Sequence, residues 1–152
     1  MANLEAARQQ MRDRVPFYRV LGVELAAVAP ESVEVTLAQT PERLNHVGTM
    51  HAAAQFGLGE AAGGAMAATA LEDLIADGAA PVVTQVTISY QRSARGDLRA
   101  VATLSADEQA RIRSEMTTQR RATFAIPVQV FDAAGKLTTE LQTVWVLLGA
   151  RA

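Results

Sequence analysis

Between Met50 and Ala70 the strongly polar side chains are His51, Gln55 and Glu60, set in a run of alanine, glycine and other apolar residues. A carboxylate enclosed among Leu58, Ala61 and Ala62 loses hydration and is pushed towards its neutral form unless it finds a partner. Such a carboxylate suits general-base chemistry near neutral pH. A structural pairing of Glu60 with an arginine or an N–H group is the competing reading. Gly57, Gly59, Gly63 and Gly64 each cost a helix interior about 1 kcal/mol relative to alanine, so close approach of another backbone or sheet has to offset them.

Helical geometry divides these polar residues. His51 and Gln55, four apart, share a face. His51 and Glu60, nine apart at about 100° per residue, lie on opposite sides of a straight helix. The segment from Asn45 to His51 and Glu60 can serve one site if two such helices lie side by side across a two-fold axis, each site drawing on both chains. The periodicity therefore predicts an obligate homodimer, with a dimer of dimers also open.

The elements that position the segment are legible from periodicity. Asn3 to about Arg14 reads as a helix with Asn3 as N-cap, ended or restarted at Pro16. Val23 to Val28 and Val33 to Gln39 flank a turn at Ala29 to Ser32 and form a β-hairpin. A central helix is expected from about Met50 to Ala76, closed by Gly78 and Pro81.

Four strands follow, with Val82, Val86, Ile88 and Tyr90 on one face of the first. Leu98 to Leu104, Phe124 to Val130 and Leu137 to Leu148 supply the others. Gly96 and the Asp132 to Lys136 run read as hairpin turns, Pro127 as an edge or a bulge, and Asp107 to Ser114 as a charged connection. The order gives one α+β domain over residues 1–152, an antiparallel sheet wrapped around one long helix.

Composition narrows the chemistry. Of 152 residues, 14 are basic and 16 acidic, for a net charge of −2, so no basic footprint for nucleic acid exists. The absence of cysteine removes disulfides, thiolate metal sites and a cysteine nucleophile. His46 and His51, without a third ligand, do not form a zinc signature. No nucleophile elbow or glycine-rich phosphate loop is present. With no apolar leader and no run of about 18 uncharged apolar residues, a cytoplasmic protein without membrane contact is expected.

Asn45, the Gly48-Thr49 pair, His51-Ala52-Ala53 and Glu60 resemble, in register, the pattern of the hotdog-fold acyl-CoA thioesterases, the PaaI-like branch in particular. That pattern is an Asn, a Gly-Thr pair, His-Gly-Gly, and an acidic residue nine positions after the His. Leu21-Gly22-Val23 and the strand Val86 to Tyr90 also look like family positions. Ala52-Ala53 replaces Gly-Gly, Glu60 replaces the commoner Asp, and Val83, with Thr84 beside it, stands where many members carry a Ser or Thr.

The resemblance implies a hotdog fold that hydrolyses an acyl thioester without cofactor or metal, coenzyme A entering only as part of the substrate. Glu60 would activate water or attack the thioester directly. Asn45 of the other subunit would orient water or substrate, and His51 would position or support. N–H groups near Ala52 and Ala53 at the helix N-terminus would polarise the carbonyl. Gly48, Thr49, Gln55, Thr84 and Arg92 are the expected substrate-binding residues, Arg92 or Arg95 facing the coenzyme A phosphates. A non-catalytic hotdog domain that binds acyl or aromatic ligands is the alternative.

Overall fold

Alternating apolar residues at Val33, Val35 and Leu37, at Leu98, Ala100 and Ala102, and at Ala122 to Val130 all point inward and are buried. The computed structural model describes residues 4–150, and Asn3 lies outside them. These residues build six strands: β1 (Val23–Ala29), β2 (Ser32–Leu37), β3 (Ala80–Tyr90), β4 (Leu98–Thr103), β5 (Arg121–Phe131) and β6 (Leu137–Leu148). They form one sheet in the order β1-β2-β4-β5-β6-β3, antiparallel throughout. The expected hairpin around Ala29 to Ser32 is present as β1 and β2.

Two helices, α1 (Leu4–Arg14) and α2 (Pro16–Leu21), precede the sheet, and Pro16 restarts the helix as its fixed φ favours. The central helix α3 (Ala52–Ala70) touches all six strands, so the sheet wraps around it. Gly59 and Gly63 are notches for β6, while Gly57 faces Leu21 of α2. A Cβ at Gly59 would stand 2.5 Å from Leu141 Cδ2, and one at Gly63 would stand 2.6 Å from Thr143 Oγ1. The close approach demanded by several glycines in one helix is thus met by the sheet and by α2.

The helix stops earlier than its composition suggests. Leu71 leaves helical geometry at φ −119° and ψ 27°, and a separate turn, α4 (Glu72–Ala76), follows. Arg113 supplies the reason: its guanidinium donates to the Ala70 carbonyl at 2.7 Å and pairs with Asp73 at 2.9 Å.

Arg113 belongs to α5 (Ala106–Gln119), which occupies the stretch read from sequence as a charged connection. The helix is polar apart from Ile112 and Met116, its buried i,i+4 pair, so periodicity was carried by two residues. Ser105 caps it by accepting from the Glu108 N–H, and Arg111 bridges Glu108 and Glu115. Ser105→Ala is expected to cost about 1 kcal/mol, measurable as a lower urea midpoint with an unchanged slope.

Three further details differ from the sequence expectation. The register slips between Val83 and Gln85, leaving Thr84 as a bulge. Val82 therefore turns outward, 47% exposed, while Val83, Val86 and Ile88 pack on the core. Pro127 sits in an interior strand, one residue beyond the last β4 pair, Ala102 with Val128. Gly96 takes φ 76° in a crossover between β3 and β4, which are not neighbours, whereas Gly135 does close the β5–β6 hairpin. No helix among the described residues is long and apolar enough to cross a membrane.

Candidate active site

Glu60 lies in the middle of α3 on the stripe that also carries Phe56, Gly64 and Ala68, the helix face least covered by the sheet. Its carboxylate is half-buried and accepts a hydrogen bond at Oε2 from the Tyr18 hydroxyl at 3.2 Å. Burial pushes the Glu60 carboxyl above the ordinary carboxylate range, and the hydrogen bond from Tyr18 pulls it part of the way back. The raised proton affinity expected from the sequence is therefore present, with desolvation as its main cause.

Beside Glu60 opens a cavity of about 420 Å³. α1 lines it with Ala7 and Met11, Val15 follows at the junction with α2, and Trp145 of β6, Ala65 of α3 and Pro81 and Val83 of β3 complete the apolar lining. The lining is apolar apart from a few groups: Glu60, Tyr18, Gln10, Arg14 and Thr69. α1 buries no residue completely and is held to β1 by Arg8 Nε on the Leu25 carbonyl at 2.7 Å. A chamber of this size with one carboxylate at its wall suits an apolar ligand carrying a reactive polar end.

The other expected site residues gather at the N-terminus of α3. A shallower depression of about 340 Å³ brings together Asn45, Thr49, Ala52, Gln55, Tyr90 and Arg92. Asn45 organises the loop before the helix. Its Oδ1 accepts from the N–H groups of Val47 and Thr49 at 3.1 and 3.0 Å, and its Nδ2 donates to Thr49 Oγ1 at 2.9 Å. Gly48 provides the left-handed residue of this turn at φ 75°. Gln55 is 5% exposed and tied at both ends, donating to the Met50 carbonyl at 3.1 Å and accepting from the Thr139 hydroxyl.

His51 is the N-cap of α3: its Nδ1 accepts from the Ala53 N–H at 3.0 Å. The ring therefore carries its proton on Nε2, which faces outward on an exposed side chain. No hydrogen bond among the described residues reaches the Ala52 N–H, so the first donor of the helix stands open next to Arg92 and Tyr90. The Tyr90 hydroxyl donates to the Ala52 carbonyl at 3.1 Å. Thr84 lines neither hollow and donates to the Val144 carbonyl at 3.3 Å from the β3 bulge.

The sequence-expected residues thus fall into two groups. Asn45, Thr49, Ala52, Gln55 and Arg92 share one depression, with His51 and Gly48 shaping its rim, and Glu60 stands apart beside the apolar cavity. Sequence reasoning missed Tyr18 and the lining supplied by α1. A buried tyrosine hydroxyl requires a partner, which is the signal that could have linked Tyr18 with the carboxylate of α3. Among the described residues no group of three or more metal-ligating side chains assembles.

A family model described as a domain of unknown function, DUF4442, matches residues 5–147. The chain belongs to this family. Among solved structures, the DUF4442 chain is similar to a Pseudomonas aeruginosa protein of unknown function with the added description "Probable Thioesterase". The TM-score is 0.83 at 26% identity, over 96% of this chain and 95% of that one. A Haemophilus influenzae thioesterase gives a TM-score of 0.75 at 17% identity, covering 100% of this chain and 94% of that chain. A thioesterase family protein from Silicibacter pomeroyi gives 0.75 at 14%, covering 97% and 100%. The fold is thus the hotdog fold of the thioesterases. No curated protein matches the sequence.

Proposed function

We propose that this DUF4442 protein hydrolyses an acyl-CoA or related acyl thioester, using the Glu60 carboxylate to activate water. The observation that carries the reading is a carboxylate with raised proton affinity at the wall of a largely apolar cavity, on the central helix of a hotdog fold. The cavity accommodates an uncharged acyl group, with the thioester beside Glu60. The description carried by the Pseudomonas aeruginosa protein supports the same chemistry.

The reaction balances with water alone. Glu60 takes a proton from water as its oxygen adds to the thioester carbon. The resulting oxyanion collapses, the carbon–sulfur bond breaks, and the proton passes from Glu60 to the departing thiolate. A donor for the oxyanion is the open Ala52 N–H, at the positive end of α3. Eight residues of helix separate Ala52 from Glu60, about 12 Å along the axis, so one protomer cannot present both to one carbonyl. The partner's α3 in a homodimer supplies the missing half, with Asn45 shaping that end and Arg92 facing the coenzyme A phosphates.

The test is release of free thiol from a panel of acyl-CoA esters of increasing chain length and of aromatic acyl-CoA esters. Turnover with uncharged acyl groups is the expected result. Saturable binding of the same esters without thiol release would instead identify a non-catalytic ligand-binding domain. That alternative draws on Asn45 and Gln55, whose side chains are engaged within the protein.

A further inference from the structure

The two oxygens of Glu60 are held differently. Oε2 receives the Tyr18 hydroxyl at 3.2 Å, whereas no hydrogen bond among the described residues reaches Oε1. Tyr18 stands 42 positions away in sequence on the short helix α2 and is 5% exposed. Its hydroxyl has room because residue 64 is glycine. A Cβ at Gly64 would stand 2.6 Å from the phenolic oxygen and 3.2 Å from Trp145 Cη2. Gly64 lies one turn after Glu60 on the same face of α3. The helix therefore offers a carboxylate and, directly beyond it, a notch that seats the group bonded to it.

We propose that Tyr18 is the positioning residue of Glu60, its phenol fixing the rotation of the carboxylate through Oε2 and leaving Oε1 as the oxygen that meets the reacting water. The role of that water rests on the thioesterase reading above. The pairing of Tyr18 with Oε2 does not. Tyr18 is a lasting donor: burial, reinforced by the charge of Glu60, pushes its phenol further up from an already high value, so it keeps its proton wherever Glu60 titrates. Arg14 of α1 is the other charged side chain on the cavity wall. The remaining lining from α3, α4, β3 and β6 carries no titratable group, and Arg14 is unchanged in the variants below.

The experiment is a titration of Glu60 itself, by carbon NMR of protein labelled at the glutamate δ-carbon, with the signal assigned from Glu60→Gln. A donor to the charged form favours ionisation, so Tyr18→Phe is expected to move the Glu60 midpoint to higher pH. The acidic limb of kcat/KM should move the same way, with the loss falling on kcat more than on KM. Gly64→Ala displaces the phenol without removing it and should give the same direction of shift. It also keeps the helix intact, since alanine is the better helix former, and so provides the test if Tyr18→Phe folds poorly.

A role in packing alone would lower the melting temperature and leave the Glu60 midpoint where it is. An unmoved midpoint in both variants overturns the proposal. A moved midpoint in a protein that releases no thiol from any ester upholds the Tyr18 pairing and removes the thioesterase reading instead.

Discussion

Glu60→Gln is expected to lower thiol release by roughly 10²–10⁴-fold, the range that a positioned general base contributes, and at the same time to make the protein more stable at pH 8. The amide is isosteric, and its carbonyl oxygen can still accept from Tyr18, so the packing around α3 persists while the basic oxygen is lost. The stability gain follows from the direction of the Glu60 shift. Burial raises its affinity for the proton in the folded state. Below the ordinary carboxylate range Glu60 is neutral both folded and unfolded, and the two states are not distinguished.

As pH rises, the unfolded chain releases its proton first while the folded protein retains it. Stability therefore falls until the folded carboxyl has ionised too. Glutamine does not titrate. The melting-temperature gap between variant and parent should accordingly be larger at pH 8 than at pH 4, and a gap that does not grow would show that burial of this carboxylate costs the fold nothing. Hydrolysis by Glu60→Gln at the parental rate would remove Glu60 from the mechanism.

The second large effect is expected from a residue with no functional side chain. Ala52→Pro deletes the open N–H at the first position of α3, where proline is well tolerated. His51 before it is already extended, at φ −61° and ψ 144°, as a residue preceding proline should be. The Ala52 carbonyl and its bond from Tyr90 are untouched. Loss of one oxyanion donor is worth roughly 10²–10³-fold in kcat, and the fold should melt where the parent does.

The proposed division of the site between two chains makes this variant more informative still. Unfolding and refolding a 1:1 mixture of Glu60→Gln and Ala52→Pro should restore about a quarter of parental activity. Half of the dimers are then mixed, and each mixed dimer holds one intact site of two. A mixture as inactive as its components would show that activity needs Glu60 and the Ala52 N–H in the same chain, and would overturn the shared site.

How much of this was legible in the sequence depended on how far apart the cooperating residues lie. Strand alternation at Leu98, Ala100 and Ala102 is a local signal, and it placed β4 correctly. The glycines of α3 announced close packing because each carries a cost that needs an offset, and Leu21 and Tyr18 of α2 with Leu141, Thr143 and Trp145 of β6 supply it. α5 escaped notice because its inward face consists of Ile112 and Met116 in a run of charged residues. The bulge at Thr84 inverted the facing of Val82, since one extra residue exchanges the two sides of a strand.

The candidate site divides along the same line. The spacing of His51 and Glu60 alone showed that they face apart, because that is a property of one helix. Tyr18 reaches Glu60 only through the fold, across 42 positions, and no periodicity encodes such a contact. The Asn45 loop occupies a middle ground. Its residues are neighbours in sequence, yet Asn45 turned out to bind its own loop so fully that its polar side chain shapes the backbone first.

A helix that is apolar nearly all round has no natural angular setting, since any face is content to be inside. For α3 the setting comes from positions without side chains. Gly59 and Gly63 receive the ridge of β6, and Gly64 receives Tyr18 and Trp145, like a keyway cut along a shaft. Turning the shaft by one residue would swing Glu60 through about 100°, away from the cavity and into the sheet. The aim of the carboxylate is therefore fixed by absences, and filling the notch at Gly59 or Gly63 would detune the site from a place outside the cavity lining.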